Sequence, residues 1–333
     1  MKILGLVLVG VVVIQFTVVP SNDMALEAAP NDAHSVYLPL IRAGVAPVIP
    51  DTTVVLDDAT LADLTTLSPN GTLVFAHAHP SLTTLQPNDV LVGSVTAAAP
   101  SGFLRMVDSV TEANGQILVQ THQATLEDAI QDGAMFIHQE LSPTAVTAIA
   151  MMDGVRSINQ SSRPASSEFA LQLNDLVLYD HDNNPATEND RILANGSVRL
   201  NLSYEFDMVV NSGQLERLMI KSISTQTAEL EISSSVTIAE VDVKKELARY
   251  TFTPIITYVG VLPVVFVPVL TINVGINGTL QATVSASVTQ QATSTSGLQY
   301  ANGTWQPIQS FVNSFTYNPP TLSTSLDAKA FIV

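Results

Sequence analysis

The sequence predicts a mainly β protein: antiparallel β-sandwich or barrel-like domains, with short helices confined to the N-terminal one. Three observations carry that prediction. The stretches Ser197–Phe206 and Thr279–Thr289 alternate strictly between polar and apolar residues; this is the period-two pattern of a strand with one buried face. Five Asn-Gly steps, beginning at Asn70, Asn114, Asn195, Asn277 and Asn302, punctuate the chain. Asn-Gly is the strongest short-range hairpin signal because both residues tolerate positive φ. Valine, isoleucine and threonine dominate the apolar stretches, which suits a pleated, half-buried surface.

The chain opens with Met1-Lys2 and an apolar run from Ile3 to Val19, followed by Pro20-Ser21-Asn22-Asp23. One positive charge, an apolar stretch and a polar exit form the layout of a secretory signal, here assigned to residues 1–29 with cleavage among the small residues Ala25–Ala29. An uncleaved anchor is the competing reading, but the run falls short of the ~20 residues that span a bilayer. Residues 30–50, rich in Ala and Pro, read as a linker. Within it, Tyr37-Leu38-Pro39-Leu40 resembles a segment that follows the signal in exported proteins of filamentous bacteria; the resemblance implies export and no activity.

An N-terminal β-rich domain is expected over residues 51–160. Its strands are predicted at Thr53–Leu56, Thr72–Ala76, Val90–Val95, Phe103–Val110 and Gln116–Thr121. Ala124–Ile130 suits a short helix capped by Thr121 or Thr125, and Asp57–Leu64 a second helical turn. Pro87-Asn88-Asp89-Val90-Leu91-Val92, followed by Gly102-Phe103-Leu104-Arg105, resembles a module of uncharacterised bacterial surface proteins. The resemblance covers roughly residues 53–130 and implies an exported β-rich module without catalytic residues. A C-terminal antiparallel β domain is expected over residues 166–333. Its most apolar stretch, Pro254–Ile276, is long enough for a membrane helix. Pro263, Pro268 and Gly260 would break such a helix, so two buried strands joined near Leu262-Pro263 are expected.

Composition narrows the function classes. The formal net charge is −17 with only 13 lysines and arginines, a surface that repels phosphate backbones and anionic lipid. No nucleic-acid partner is therefore expected, and membrane contact only through the signal peptide. The chain has no cysteine, so it carries neither a lipobox nor disulfides; for a secreted chain this favours a bacterial protein that relies on its core. Gly-x-Ser-x-Gly, His-Glu-x-x-His and P-loop motifs are missing from the sequence.

One loop stands out. Asp180-His181-Asp182-Asn183-Asn184-Pro185-Ala186-Thr187-Glu188-Asn189-Asp190 presents oxygen ligands at alternate positions, so Asp180, Asp182 and Asn184 can turn inward around Ca²⁺, with Glu188 or Asp190 closing the shell. Over its first five positions the loop resembles an EF-hand. It departs at Pro185, where that family needs glycine, and at Arg191, where it needs a bidentate glutamate. A simpler calcium loop and an acidic, solvated turn remain the two readings. His77 and His79 flank Ala78 and would share one face of a strand, but a transition metal needs a third ligand, and none is near in sequence. Glu205, Asp207, Glu229 and Glu231 are carboxylates at the alternate positions of a wet strand face. The leading expectation is a non-catalytic secreted or cell-surface protein, an adhesion or envelope structural module stabilised by Ca²⁺, with a cell-envelope or extracellular polymer as partner. The alternatives are a secreted hydrolase whose site is assembled from distant residues, and a membrane-active β-protein.

Overall fold

The computed structural model describes residues 13–14, 46–158, 167–184, 186–188, 190–234, 238–280, 284–318 and 327–332. Apart from Val13–Ile14, the segments read as signal and linker up to residue 45 lie outside the described residues. The chain is mainly β, with antiparallel sheets and a few short helices. Val13–Ile14 forms β1, which pairs with Leu270 and Thr271 further along.

The next strands build a six-stranded sheet: β2 (Thr53–Val55), β3 (Leu64–Leu67), β4 (Thr72–Phe75), β5 (Val90–Gly93), β6 (Phe103–Ala113) and β7 (Gln116–Gln123), in the order β2-β5-β6-β7-β4-β3. Only β2 and β5 run parallel. Three helical turns accompany it. α1 (Asp58–Ala62) is capped by the Asp57 carboxylate, which accepts from Thr60 N at 2.8 Å. α2 (Pro80–Thr83) begins on a proline, whose missing N–H costs nothing at that position. α3 (Leu126–Ala129) carries a capping box in which Thr125 and Asp128 satisfy each other's backbone N–H, so Thr125 rather than Thr121 is the cap. Leu73, Phe75, Leu82, Leu91, Ile117 and Val119 fill this sheet's own core.

The chain then supplies β8 (Gly133–Leu141), β9 (Val146–Met151), β10 (Val155–Ser157), β11 (Phe169–Asp180), β12 (Arg191–Asn211), β13 (Gln214–Ser234), β14 (Ile238–Phe252), β15 (Ile255–Val259), β16 (Leu262–Phe266), β17 (Val269–Leu280), β18 (Val284–Ala301), β19 (Thr304–Asn318) and β20 (Asp327–Ile332). A seven-stranded sheet runs β10-β11-β12-β13-β18-β19, and β8 shares the β12 edge with β11. A five-stranded sheet runs β1-β17-β14-β9, with β20 also on β17. β8, β9 and β10 thus pair with β12, β14 and β11, all from beyond residue 166.

The two large sheets face each other as a sandwich. Even-numbered residues of β12, among them Val198, Leu200, Leu202, Tyr204, Phe206 and Met208, are buried along one face, as the predicted alternation requires. Across the layer Phe169 meets Tyr250 and Phe252 edge-on, with ring centroids 5.2 and 5.8 Å apart. Burying each such side chain contributes roughly 1.5–3 kcal/mol.

The apolar stretch 254–276 departs from expectation. β15 and β16 form a hairpin that turns at Gly260-Val261, not at Leu262-Pro263, because Gly260 adopts φ +62°. The hairpin is buried on one face only: Val259 and Leu262 lie inside, while Tyr258 and Val261 are 56% and 68% exposed. No helix among the described residues is long and apolar enough to cross a membrane. The alternation over Thr279–Thr289 falls partly outside the described residues. β17 ends at Leu280 and β18 begins at Val284, with 281–283 outside the described residues.

The seven-stranded sheet contains an anomaly. On the buried face of β13 and β18, Ser222, Ser224, Gln226, Gln290 and Ser294 are all under 7% exposed. Ser224 Oγ, both amide atoms of Gln226 and Gln290 Nε2 have no hydrogen-bond partner. This polar belt interrupts an apolar face that resumes at Ala228, Leu230 and Ile232.

Candidate metal centre

The acidic loop joins β11 to β12, and its geometry follows from local bonding. The strands stay paired to the Asp180–Arg191 step, so the ten residues between those two must turn on their own side chains. Asp182 Oδ1 accepts from Asn184 N at 2.8 Å, and Asn184 Oδ1 accepts from Ala186 N at 3.1 Å. These are successive Asx turns, which acidic and amide side chains form because they can mimic a backbone carbonyl. The Thr187 hydroxyl donates to both Asp182 oxygens at 3.0 Å. Asp190 Oδ2 accepts from Asp182 N at 3.1 Å, which closes the loop. Asn183 sits at φ +54°, a conformation asparagine tolerates.

This folding brings Asp180, Asp182 and Asp190 together, each offering one oxygen within 4.8 Å of the other two. Asn184 is turned to its own Asx bond, and Glu188 is exposed outside the three-carboxylate group. Arg191 fills a role opposite to an EF-hand's closing glutamate. Its Nε lies 3.2 Å from Asp180 Oδ2, with both side chains about five-sixths buried (14% and 16% exposed). Even so, Asp180 Oδ1 and Asp190 Oδ1 are buried and have no donor. The Asn184 N–H is the main cause holding the Asp182 carboxyl below its usual range, with help from Thr187, so this ligand is ionised well below neutrality. Hard, anionic oxygens grouped on a tight loop are the chemistry of Ca²⁺, which takes roughly 6–8 oxygens and accepts carbonyls and water to complete its shell. Thr187 was missed in the sequence because nothing in the spacing distinguishes a hydroxyl that braces a ligand from one that faces water.

Two of the other carboxylates considered from sequence, Glu205 and Asp207, have partners on the wet face. Glu205 lies 2.6 Å from Lys221 Nζ and 3.3 Å from His138 Nδ1, and Asp207 lies 2.9 Å from Arg217. Trp305 stacks obliquely on Tyr300 at the β18–β19 turn, with centroids 5.1 Å apart, and is 53% exposed.

Comparison with known proteins adds no relative: no protein-family model, curated sequence or solved structure matches the chain.

Proposed function

We propose that this chain is a non-catalytic exported protein, an adhesion or envelope structural module, whose 180–190 loop is fastened by Ca²⁺. One observation carries the calcium reading: two carboxylate oxygens, Asp180 Oδ1 and Asp190 Oδ1, are removed from water without a donor beside a third carboxylate. A buried, unpaired anionic oxygen is costly, and a cation is the partner that offsets it. The sandwich supports a structural role. Strands of up to 21 residues present a broad outer face, with a shallow depression of about 490 Å³ floored by Thr225, Thr227, Gln291 and Thr293 and rimmed by the Glu168–Arg199 pair. That neutral, hydroxyl- and amide-lined surface suits an extended extracellular polymer. The apolar run Ile3–Val19 after Lys2 supports export.

The test is thermal unfolding of the chelator-treated chain with and without millimolar CaCl₂, beside Asp180→Ala/Asp182→Ala. An ion that binds only the folded state raises the midpoint by mass action, by about 2.7 kcal/mol at a hundredfold excess over Kd. A rise in the wild type that disappears in the variant is expected. Equal midpoints with and without calcium would reduce the loop to a solvated turn.

A further inference from the structure

Residues 250–326 contain no Asp, Glu, Lys, Arg or His, although the chain as a whole carries a net charge of −17. The β18–β19 hairpin lies wholly inside that charge-free stretch, and β19 forms one edge of the seven-stranded sheet. Among the described residues β19 pairs with β18 along its whole length, without a register shift, and with no other strand. One side of a 15-residue strand therefore stands open. β-proteins keep such edges from pairing by making them short or by placing charge on them. Other edges of this molecule follow that rule: β2, β3 and β10 run three or four residues, and β8, at nine, carries His138 and Glu140. β19 is neither short nor charged.

The turn before β19 fixes which backbone groups face the open side. Asn302-Gly303 is a two-residue turn with both residues at positive φ, and Ala301 pairs with Thr304 across it. Such a closing pair exchanges both of its backbone bonds, and the pairs beyond it alternate. The odd-numbered positions from Trp305 to Tyr317 thus turn N–H and C=O away from β18. At Pro307 the outward donor is missing, which is the placement proline takes on an edge strand. Beyond it, an incoming strand meets an unbroken row of donors from Gln309 to Tyr317. The outer face beside that row is uncharged and wet: Ser310, Val312 and Ser314 are exposed, Val312 at 68%.

We propose that β19 is a homodimerisation edge, at which two copies of this chain join by antiparallel β19–β19 pairing over Ile308–Asn318. The two seven-stranded sheets become one. A second copy is the occupant that the charge pattern favours. Two molecules of the same high negative charge repel each other, and they approach at least cost where neither carries charge. Antiparallel self-pairing sets that stretch against itself. Length points the same way, because the opposite edge of the sheet offers a head-to-tail partner only the nine residues of β8 and the three of β10. A two-fold contact also closes, consuming both long edges, whereas a head-to-tail contact would leave one open and propagate. The dyad of such a pair stands perpendicular to the sheet. Both outer faces therefore lie on one side, and the depression that Val312 and Ser314 help to line is repeated across the joint.

The experiment is sedimentation equilibrium of the full chain over a concentration series at low and high salt, with hydrogen exchange on the same samples. A reversible dimer is expected, tighter at high salt because screening weakens repulsion between like-charged copies. The amides of Gln309, Phe311, Asn313 and Phe315 should exchange slowly in the dimer and quickly in the dilute monomer. The even-numbered amides, bonded to β18, should not change. Gln309→Pro removes an outward donor without touching a bond to β18. Val312→Lys brings like charges together near the dyad while lowering the net negative charge. Each should weaken dimerisation by at least roughly tenfold, with circular dichroism unchanged. Val261→Lys, on the exposed β15–β16 turn, should leave the dimer intact. A natively folded wild type that stays monomeric throughout would overturn the proposal. So would open-ended oligomers, a dimer that survives both β19 variants, or one that Val261→Lys abolishes.

Discussion

Replacing Gln226 by methionine should make the protein more stable, although it removes a polar side chain from a polar belt. Gln226 is 4% exposed, and neither Oε1 nor Nε2 has a partner. Its neighbours in register are Leu200 on β12 and Ala292 on β18, neither of which offers a side-chain hydrogen bond. A buried group left unsatisfied costs about 1–3 kcal/mol, whereas an apolar side chain of the same shape carries no such cost. Methionine nearly matches glutamine in length and volume, so cavity and overpacking terms stay small. The expected gain is about 1–3 kcal/mol. Urea unfolding followed by circular dichroism reads it directly: with a slope near ~3 kcal/mol/M for a chain of this size, the midpoint should rise by roughly 0.3–1 M. Gln290→Met should act in the same direction. The two gains should fall short of additivity, because the side chains lie diagonally on adjacent strands. A midpoint that falls by a comparable amount would refute the reasoning, since it would mean that the amide is satisfied in solution, by water or by a bound molecule lying along β13.

Two further outcomes test the architecture. Burial pushes the Tyr250 hydroxyl up to about 12 from 10.0, against a smaller opposing effect of its bond with Ser157. The unfolded chain therefore ionises first as pH rises, so stability is full below about pH 10 and declines between about 10 and 12; Tyr250→Phe should remove that part of the alkaline slope in pH-dependent unfolding. Gly196→Ala should cost about 3 kcal/mol or more, because Gly196 has φ +137° and a Cβ there would run into the Glu229 carbonyl oxygen. Gly213→Ala is the control on open space: it meets nothing within 4 Å and bears only the strain of its positive φ.

The Asn-Gly steps show where sequence reasoning reached and where it stopped. Asn114-Gly115 and Asn302-Gly303 are tight hairpin turns with both residues at positive φ, as their type demands. Asn195-Gly196 and Asn277-Gly278 carry the same dipeptide inside strands. At Asn195 the signal marks a bulge: Asp175 N donates to Asn195 Oδ1, Asn195 Nδ2 donates back to Asp175 Oδ1, and the register slips between Leu173 and Leu176. The longest hairpin turns instead at Ser212-Gly213, where a serine at φ +51° holds no special propensity. Its conformation is imposed from outside by Ser212 N donating to Asp132 and Gly213 N to Gln131 O. The same division runs through the candidate sites. The Asp180–Asp190 group was legible because its members are local; the pairing of Asp63 with His77 and His79 was not, because a carboxylate that ends a helix says nothing about which histidines the next hairpin will bring to it.

The pairing of β8, β9 and β10 has a consequence for how the chain reaches its native state. The six-stranded sheet is complete once residue 123 is available, because all its pairings lie within residues 53–123. Leu141 must wait for Leu202, Met151 for Ala248 and Val155 for Leu173. A growing or emerging chain therefore closes its first sheet early and then holds three strands with open hydrogen-bonding edges until distant segments arrive. Closing such long loops is the slow step in β-sheet folding, and unpaired edges recruit other chains in the meantime. A fragment ended at residue 158 would keep those edges permanently, and aggregation rather than an isolated soluble domain is the outcome it should give.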